Sequence, residues 1–258
     1  MGTATAAVPV RALSGAAFAT LLLIALMMGA NHVAARIAFN HGVDVATAVV
    51  FRSSVTAAVV TLILWRAGLR PRLTARHKRF LPGVGLLIGL QSLCLYSAVA
   101  RLPVALALLA FNTYPLATAL WARVLYGRRP GRGLLVAMPV ILLGLAMALD
   151  VFGAASGLGA GGQWARIGAG VGFALAASGL FGLALVLTQH ELGELDGRLR
   201  TASTMAMAAL VALATLGVQG GWHLPAAPAG WGGLAALPLL YGTSFSSMFT
   251  LRARLGGV

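Results

Sequence analysis

Polar and aromatic side chains that could bind a small molecule interrupt several long apolar segments of this sequence. Amide, imidazole and guanidinium groups are costly at membrane depth unless they are partnered, and they often mark a substrate pathway. Their chemistry is hydrogen bonding and charge recognition, so we predict a binding cavity and not a catalytic centre. The candidates are Asn31, His32, Arg52, Gln91, Tyr96, Asn112, Tyr114, Pro115, Tyr241 and Ser244.

The segment 102–122 contains the most distinctive of these interruptions. It carries no charge, and Asn112-Thr113-Tyr114-Pro115 stands in its middle. A helix needs about 20 apolar residues to span a bilayer. Proline removes a backbone donor, and irregular backbone at membrane depth is tolerated where it lines a cavity. We therefore expect Asn112, Tyr114 and Pro115 to line a cavity, with a simple packing kink as the alternative.

Each of the other candidates also has a structural interpretation. Asn31 and His32 could hold two helices together, because buried polar groups in membranes find partners on neighbouring helices. The hydroxyl groups near Tyr241 and Ser244 could return hydrogen bonds to their own helix. The side chain of Arg52 could extend to the membrane interface, or it could attract an anionic or zwitterionic substrate.

Other chemistries receive little support from the residues present. The single cysteine lies inside an apolar segment, and no phosphate-binding glycine-rich loop followed by lysine and a hydroxyl residue occurs. We expect no cofactor, no metal site and no enzyme activity. A membrane enzyme that uses His32, His41 and Asp44 is the alternative from another class. The acidic residues lie in loops or at segment ends: Asp44, Asp150, Glu191, Glu194 and Asp196.

The composition indicates a membrane protein. Hydrophobic residues make up 59% of the 258 residues and charged residues 9%, whereas soluble domains carry roughly a quarter charged residues. The net charge of +14 comes from basic residues in short segments between apolar runs, as in cytoplasmic loops. We expect a lipid bilayer and a small-molecule substrate as partners, and no nucleic acid. Whether the chain forms a homo-oligomer stays open.

Eight membrane helices are predicted. Most of the 19 Lys and Arg residues lie on one side if the N-terminus is cytoplasmic, so residues 1–14 are predicted to form a cytoplasmic tail of an inner (plasma) membrane protein. The predicted spans are about 15–39, 45–65, 81–100, 103–125, 133–150, 166–190, 201–218 and 231–251.

A displacement of 153 residues reveals an internal repeat. It places Gly15 on Gly168 and Ala100-Arg101-Leu102 on Ala253-Arg254-Leu255. The first copy, 15–150, holds five helices, so the second enters the membrane in the opposite sense, as in many secondary transporters. A linker, 151–165, precedes the second copy, 166–258, which holds three helices. We therefore expect an all-α fold with eight helices of a ten-helix inverted repeat (5+5) that lacks the last two.

Four segments carry a family resemblance. They are GANHVAARIAF (29–39), FRSSVTA (51–57), LYSAVARLPVALA (95–107) and NTYPLATALWARVLYGRRP (112–130). In order and spacing, across about 15–257, the chain resembles the drug/metabolite transporter (DMT) superfamily, EamA type. One departure is Gly127-Arg128-Arg129, because the family often carries a glutamate in this turn.

The resemblance implies a secondary-active transporter. Members of the family export or exchange small metabolites, so we expect an exporter of small metabolites or amino acids. Alternating access around a midplane cavity is the expected mechanism. A truncated, non-transporting membrane protein is the alternative, because the second repeat ends two helices early.

Overall fold

A computed structural model describes residues 15–68, 73–128 and 131–255, without the side chains of residues 16, 17, 132, 134, 135 and 244–255. Within these ranges all regular secondary structure is α-helical. The helices are α1 (Gly15–Asn40), α2 (Val45–Arg66), α3 (Ala75–Arg101), α4 (Val104–Phe111), α5 (Tyr114–Tyr126), α6 (Arg132–Ala148), α7 (Gly159–Glu191), α8 (Gly197–Gln219) and α9 (Pro228–Leu255).

Six segments within the described ranges are long and apolar enough to cross a membrane. Five of them lie in α1, α2, α3, α7 and α8, and the sixth, Val104–Tyr126, combines α4 and α5. A shorter apolar segment, Val136–Ala148, lies in α6. The prediction of an all-α membrane protein with several spans is confirmed.

The fourth predicted span is broken at its polar island. Helix α4 ends at Phe111 and α5 begins at Tyr114, with Asn112 and Thr113 between them. The amide of Thr113 reaches the carbonyl of Ala110 at 3.3 Å, which is a tight turn in place of the regular helical bond. Pro115 then stands in the first turn of α5, where its missing N–H leaves no partner unsatisfied.

Local caps make helices α3 and α8 begin earlier than the sequence predicts. Helix α3 starts at Ala75 and not at 81, because Thr74 accepts a hydrogen bond from the amide of His77 and the His77 ring accepts one from the Thr74 amide. Helix α8 starts at Gly197 and not at 201, because the carboxylate of Asp196 caps it. The first turns of both helices were predicted as loops because they are polar.

The predicted linker 151–165 is partly helical, because α7 starts at Gly159. Gln163 fastens this start to α6, since its side-chain amide donates to the carbonyl of Leu149 at 2.8 Å and is almost fully buried. This tertiary contact offsets the low helix propensity of the surrounding glycines.

Two helix pairs, α3 with α7 and α1 with α9, pack along much of their lengths, and α8 packs between α2 and α3. Glycines allow the closest approaches. A Cβ atom on Gly89 of α3 would lie 3.1 Å from the Cα atom of Ala208 on α8. A Cβ atom on Gly233 of α9 would lie 2.8 Å from the carbonyl oxygen of Ala34 on α1. Such contacts between small residues are typical of helix packing in membranes.

Candidate functional site

Arg52 forms the centre of a buried polar cluster. It lies on α2 with only 4% of its surface exposed. One terminal nitrogen donates to the hydroxyl of Ser92 at 2.8 Å and the other to the hydroxyl of Tyr96 at 3.3 Å. Both acceptors lie on α3, four residues apart and therefore on one face of that helix. These contacts direct the Arg52 side chain towards α3 and lend no support to the alternative that it extends to the membrane interface.

Two aromatic rings flank the guanidinium group of Arg52. Its Cζ atom lies 4.9 Å from the ring centre of Tyr96 and 4.5 Å from that of Tyr241 on α9. Rings at these distances attract a cation through their negative faces. Among the residues that the structure describes, the groups that hold Arg52 between α3 and α9 are neutral.

Asn31 of α1 extends the cluster to a fourth helix. The hydroxyl of Tyr96 donates to the side-chain oxygen of Asn31 at 2.9 Å, and the Asn31 amide donates to the carbonyl of Leu237 on α9 at 2.9 Å. The expected role of Asn31 in holding helices together is therefore supported. We refer to Asn31, Arg52, Ser92, Tyr96 and Tyr241 as the Arg52 cluster.

Three buried polar atoms in the cluster or beside it have no hydrogen-bond partner. They are Nδ1 of His32, Nε of Arg52 and Oγ of Ser53. The His32 ring packs edge-on against Tyr96, with 5.9 Å between the ring centres. Unpartnered buried polar atoms are rare in native proteins, and each calls for an explanation such as a bound ligand.

No acidic side chain neutralises the charge of Arg52. All five acidic residues lie in the described ranges, and none of them forms an ion pair with Arg52. Taking an ion out of water costs several kcal/mol even after relaxation. Hydrogen bonds to a charged group return about 1.5–3 kcal/mol each, and each ring returns about 0.5–2 kcal/mol. The neutral partners therefore roughly offset the cost of burial and leave a net positive charge.

An open depression of about 530 Å³ lies next to the cluster, at the ends of α1, α3 and α8. Its polar lining includes Asp44, Arg101 and Gln219. Phe39 also lines it and contacts Tyr96, with 5.8 Å between the ring centres. Phe39 thus separates the depression from the Arg52 cluster.

The other predicted residues lie apart from the Arg52 hydrogen bonds. Gln91 is buried on α3 next to Ser92. At the break in the fourth span, Asn112 and Pro115 are exposed, while Tyr114 packs against the rings of Phe111 and Phe181. Their lining of a cavity stays a prediction. Ser244 lies in α9, but its side chain is outside the described residues.

Sequence reasoning missed the buried contact at this break. The hydroxyl of Thr113 lies 2.9 Å from that of Ser178 on α7, and both residues are buried. Thr113 belongs to the polar island, so the island itself is the signal that could have identified it. Ser178 stands alone among small apolar residues and has no such signal.

A second polar cluster joins the opposite ends of three helices. Nε of Arg76 on α3 lies 2.7 Å from a carboxylate oxygen of Glu191 on α7, and the hydroxyl of Tyr126 on α5 donates to the other carboxylate oxygen. The rings of Tyr126 and His190 are stacked 3.9 Å apart. We refer to Arg76, Tyr126, His190 and Glu191 as the Glu191 cluster.

The residues of the enzyme alternative have structural contacts. Both carboxylate oxygens of Asp44 accept backbone amides at the start of α2, from Ala46 and Thr47. The ring of His41 is hydrogen-bonded to the carbonyl of Ile37, one turn earlier in α1. These contacts are those of a helix cap and a helix end.

The comparison with protein families matches this chain to a family of transporters. The model of the EamA-like transporter family matches residues 14–149, which is more than half of the 258 residues. That region contains α1 to α6 and four of the five residues of the Arg52 cluster. Comparison with curated proteins gives no match. The chain belongs to the EamA-like transporter family, and it is a membrane transporter of the DMT type.

Proposed function

We propose that the protein is a secondary-active exporter of small metabolites or amino acids and that the Arg52 cluster is its substrate site. The observation that carries this proposal is a buried, incompletely partnered polar cluster shared by α1, α2, α3 and α9 in a member of a transport family. A transporter needs such a site at membrane depth, where both sides of the membrane can reach it in turn.

The depth of the cluster supports this assignment. Arg52 lies seven residues from the start of α2, which is about 10 Å along the helix at 1.5 Å per residue. Asn31 lies nine residues from the end of α1, which is about 14 Å. The apolar core of a bilayer is about 30 Å thick, so Asn31 stands near its middle and Arg52 about one third of the way in from the same face.

An inverted repeat is part of the proposal. Displaced by 153 residues, α2 would span 198–219 and α3 would span 228–254, close to α8 (Gly197–Gln219) and α9 (Pro228–Leu255). The packing follows the same relation, because α3 packs on α7 and its counterpart α9 packs on α1. Two such halves could rock against each other around a central site.

The Glu191 cluster fits the role of a cytoplasmic gate. With the N-terminus inside, α3 begins and α5 and α7 end on the cytoplasmic side, in a plasma membrane. The contacts of Glu191 with Arg76 and Tyr126 then close the inner ends of these helices. On the outer side, the depression reaches as far as Phe39. Opening one end while closing the other is what alternating access requires.

Flux through reconstituted vesicles tests the proposed function. The purified full chain would be inserted into vesicles loaded with labelled leucine, glutamate, lysine or succinate, and release would be compared with protein-free vesicles. We expect protein-dependent release of at least one of these molecules. Release at the protein-free rate for every molecule would contradict the proposal and favour a non-transporting membrane protein.

Paired substitutions locate the site within the same assay. Asn31→Ala removes the two side-chain hydrogen bonds by which Asn31 joins α1 to α3 and α9, so we expect at least a tenfold loss of flux, equivalent to about 1.4 kcal/mol. Asn112→Ala makes the same chemical change at the exposed break and tests whether Asn112 lines the pathway. Unchanged flux in Asn31→Ala would exclude the Arg52 cluster as the substrate site.

A further inference from the structure

We propose that Arg52 binds a carboxylate group of the transported molecule, so that the substrate supplies the negative charge that no acidic side chain provides at this site. The assignment rests on the proposed transport function. It restricts the substrate to molecules with a carboxylate, such as organic acids or amino acids, and excludes molecules that carry only a positive charge.

The other arginines near the membrane segments show how the chain satisfies such groups elsewhere. Arg36 donates to the carbonyls of Val99 and Ala100, in the last turn of α3, where the helix dipole is negative. Arg76 pairs with the carboxylate of Glu191. Within the described part of the chain Arg52 has neither kind of partner, although it is the most buried of the three.

The position of Arg52 on its own helix adds to this difference. It lies in the first half of α2, toward the positive end of the helix dipole. The nearest carboxylate in sequence, Asp44, is occupied by the amides of Ala46 and Thr47 at the start of the same helix. Nothing in α2 therefore neutralises the guanidinium group.

The unused donor of Arg52 has the geometry that a carboxylate needs. An arginine presents five N–H groups in a planar fork, and a carboxylate accepts two of them side by side. In this structure the terminal nitrogens donate to Ser92 and Tyr96, while Nε is buried without an acceptor. The N–H of Nε and one N–H of a terminal nitrogen lie side by side, so a single carboxylate could accept both. The unpartnered Oγ of Ser53, the next residue, offers a further hydrogen bond.

Access to this pair requires movement of the side chains that cover it. Phe39 contacts Tyr96 from the depression, and Tyr241 covers the guanidinium group from α9. A displacement of Phe39 would connect the depression with the cluster. A carboxylate that enters would then replace part of the contact between the Tyr241 ring and the guanidinium group of Arg52.

A binding measurement tests this proposal without any transport. The unfolding temperature of the purified full chain, in uncharged detergent with zwitterionic lipid, would be measured with leucine, benzoate or succinate and with the carboxamides leucinamide, benzamide and succinamide. At least one carboxylate should raise the unfolding temperature, with an affinity at least about tenfold higher than that of its carboxamide, because the carboxamide lacks the charge.

Variants assign the effect to Arg52. Arg52→Gln should abolish the stabilisation by the carboxylate, and Arg52→Lys should keep part of it, because lysine retains the charge but not the planar fork. Arg36→Gln is the matched control and should keep the full effect, because Arg36 is satisfied by carbonyls. Each variant would first be shown to unfold cooperatively without ligand, and Arg52→Lys serves as the test if Arg52→Gln does not fold.

Four outcomes would overturn the assignment. They are no stabilisation by any carboxylate, equal stabilisation by acid and carboxamide, stabilisation that survives Arg52→Gln, and stabilisation only by inorganic phosphate or by phosphatidylglycerol. The last result would identify a free phosphate or a lipid headgroup as the ligand. A carboxylate that binds through Arg52 but is not released from vesicles would contradict transport and leave the binding assignment standing.

Discussion

Removal of a single oxygen atom, by Tyr96→Phe, tests how the Arg52 cluster holds its helices together. The Tyr96 hydroxyl donates to Asn31 of α1 and accepts from Arg52 of α2, so it links three helices. Phenylalanine keeps the ring contacts with His32, Phe39 and the guanidinium group. The substitution therefore isolates the two hydrogen bonds.

The expected destabilisation follows from these two bonds. A neutral side-chain hydrogen bond between membrane helices is worth about 0.6 kcal/mol on average and up to about 1.7 kcal/mol. A charged group that loses a buried acceptor costs about 1–3 kcal/mol, and the 3.3 Å distance favours the lower half of that range. The sum is about 2–4 kcal/mol, which corresponds to a fall in unfolding temperature of roughly 5–15 °C.

Thermal unfolding of the purified protein in mild detergent is the assay. Tyr114→Phe is the matched control, because Tyr114 is half-buried and contacts the rings of Phe111 and Phe181, and we expect its effect to stay within about 0.5 kcal/mol. Tyr96→Phe and Asn31→Ala both remove the hydrogen bond between these two side chains. The destabilisation of the double variant should therefore fall short of the sum of the two single effects by at least about 0.5 kcal/mol. Equal effects of Tyr96→Phe and Tyr114→Phe would refute this account of the cluster.

Three further predictions concern the Glu191 cluster, the helix packing and one loop. Glu191→Gln should weaken the contact with Arg76 and speed labelling from the cytoplasmic side by up to about fivefold, measured at a cysteine near the Glu191 cluster. Gly89→Val should destabilise by about 1–3 kcal/mol through its clash with α8, whereas Gly83→Val, with open space around Gly83, should be nearly neutral in thermal unfolding. Hydrogen bonds from the Ser156 hydroxyl and the Ala155 amide lower the pKa of Asp150 from its usual value of 3.8. The difference in the free energy of unfolding between wild type and Asp150→Asn should therefore be constant from pH 7 to 5. It should vanish only as the pH falls through the lowered pKa.

The membrane spans were predictable because their cause is local in the sequence. A run of apolar residues that is long enough to cross a bilayer has few other stable structures. The break near Pro115 was predictable for the same reason, since proline and the preceding polar residues act on their own helix. The cap at Thr74 also has a local signal, since its hydroxyl is followed three residues later by His77, whose ring completes the capping box.

The Arg52 cluster was predictable only in part. The sequence identifies Asn31, Arg52 and Tyr96 as polar groups in apolar segments. The free-energy cost of a polar side chain within the membrane follows from its position in its own segment, without knowledge of its neighbours. Their meeting depends on which helices pack together, and on the register set by contacts such as that of Gly233 with Ala34. Those contacts join residues that are far apart in the chain, so the pattern of residues within a single segment does not predict them.

Access to Ser53 from the two sides of the membrane tests the central claim most directly. Ser53 is fully buried beside Arg52, and a Ser53→Cys variant in a Cys94→Ser background carries the only thiol of the chain. Right-side-out and inside-out vesicles would be treated with a membrane-impermeant thiol reagent. Alternating access around the Arg52 cluster predicts labelling from both sides, with the Glu191→Gln exchange speeding the reaction from the cytoplasmic side. Labelling from neither side, or from one side only, would contradict it.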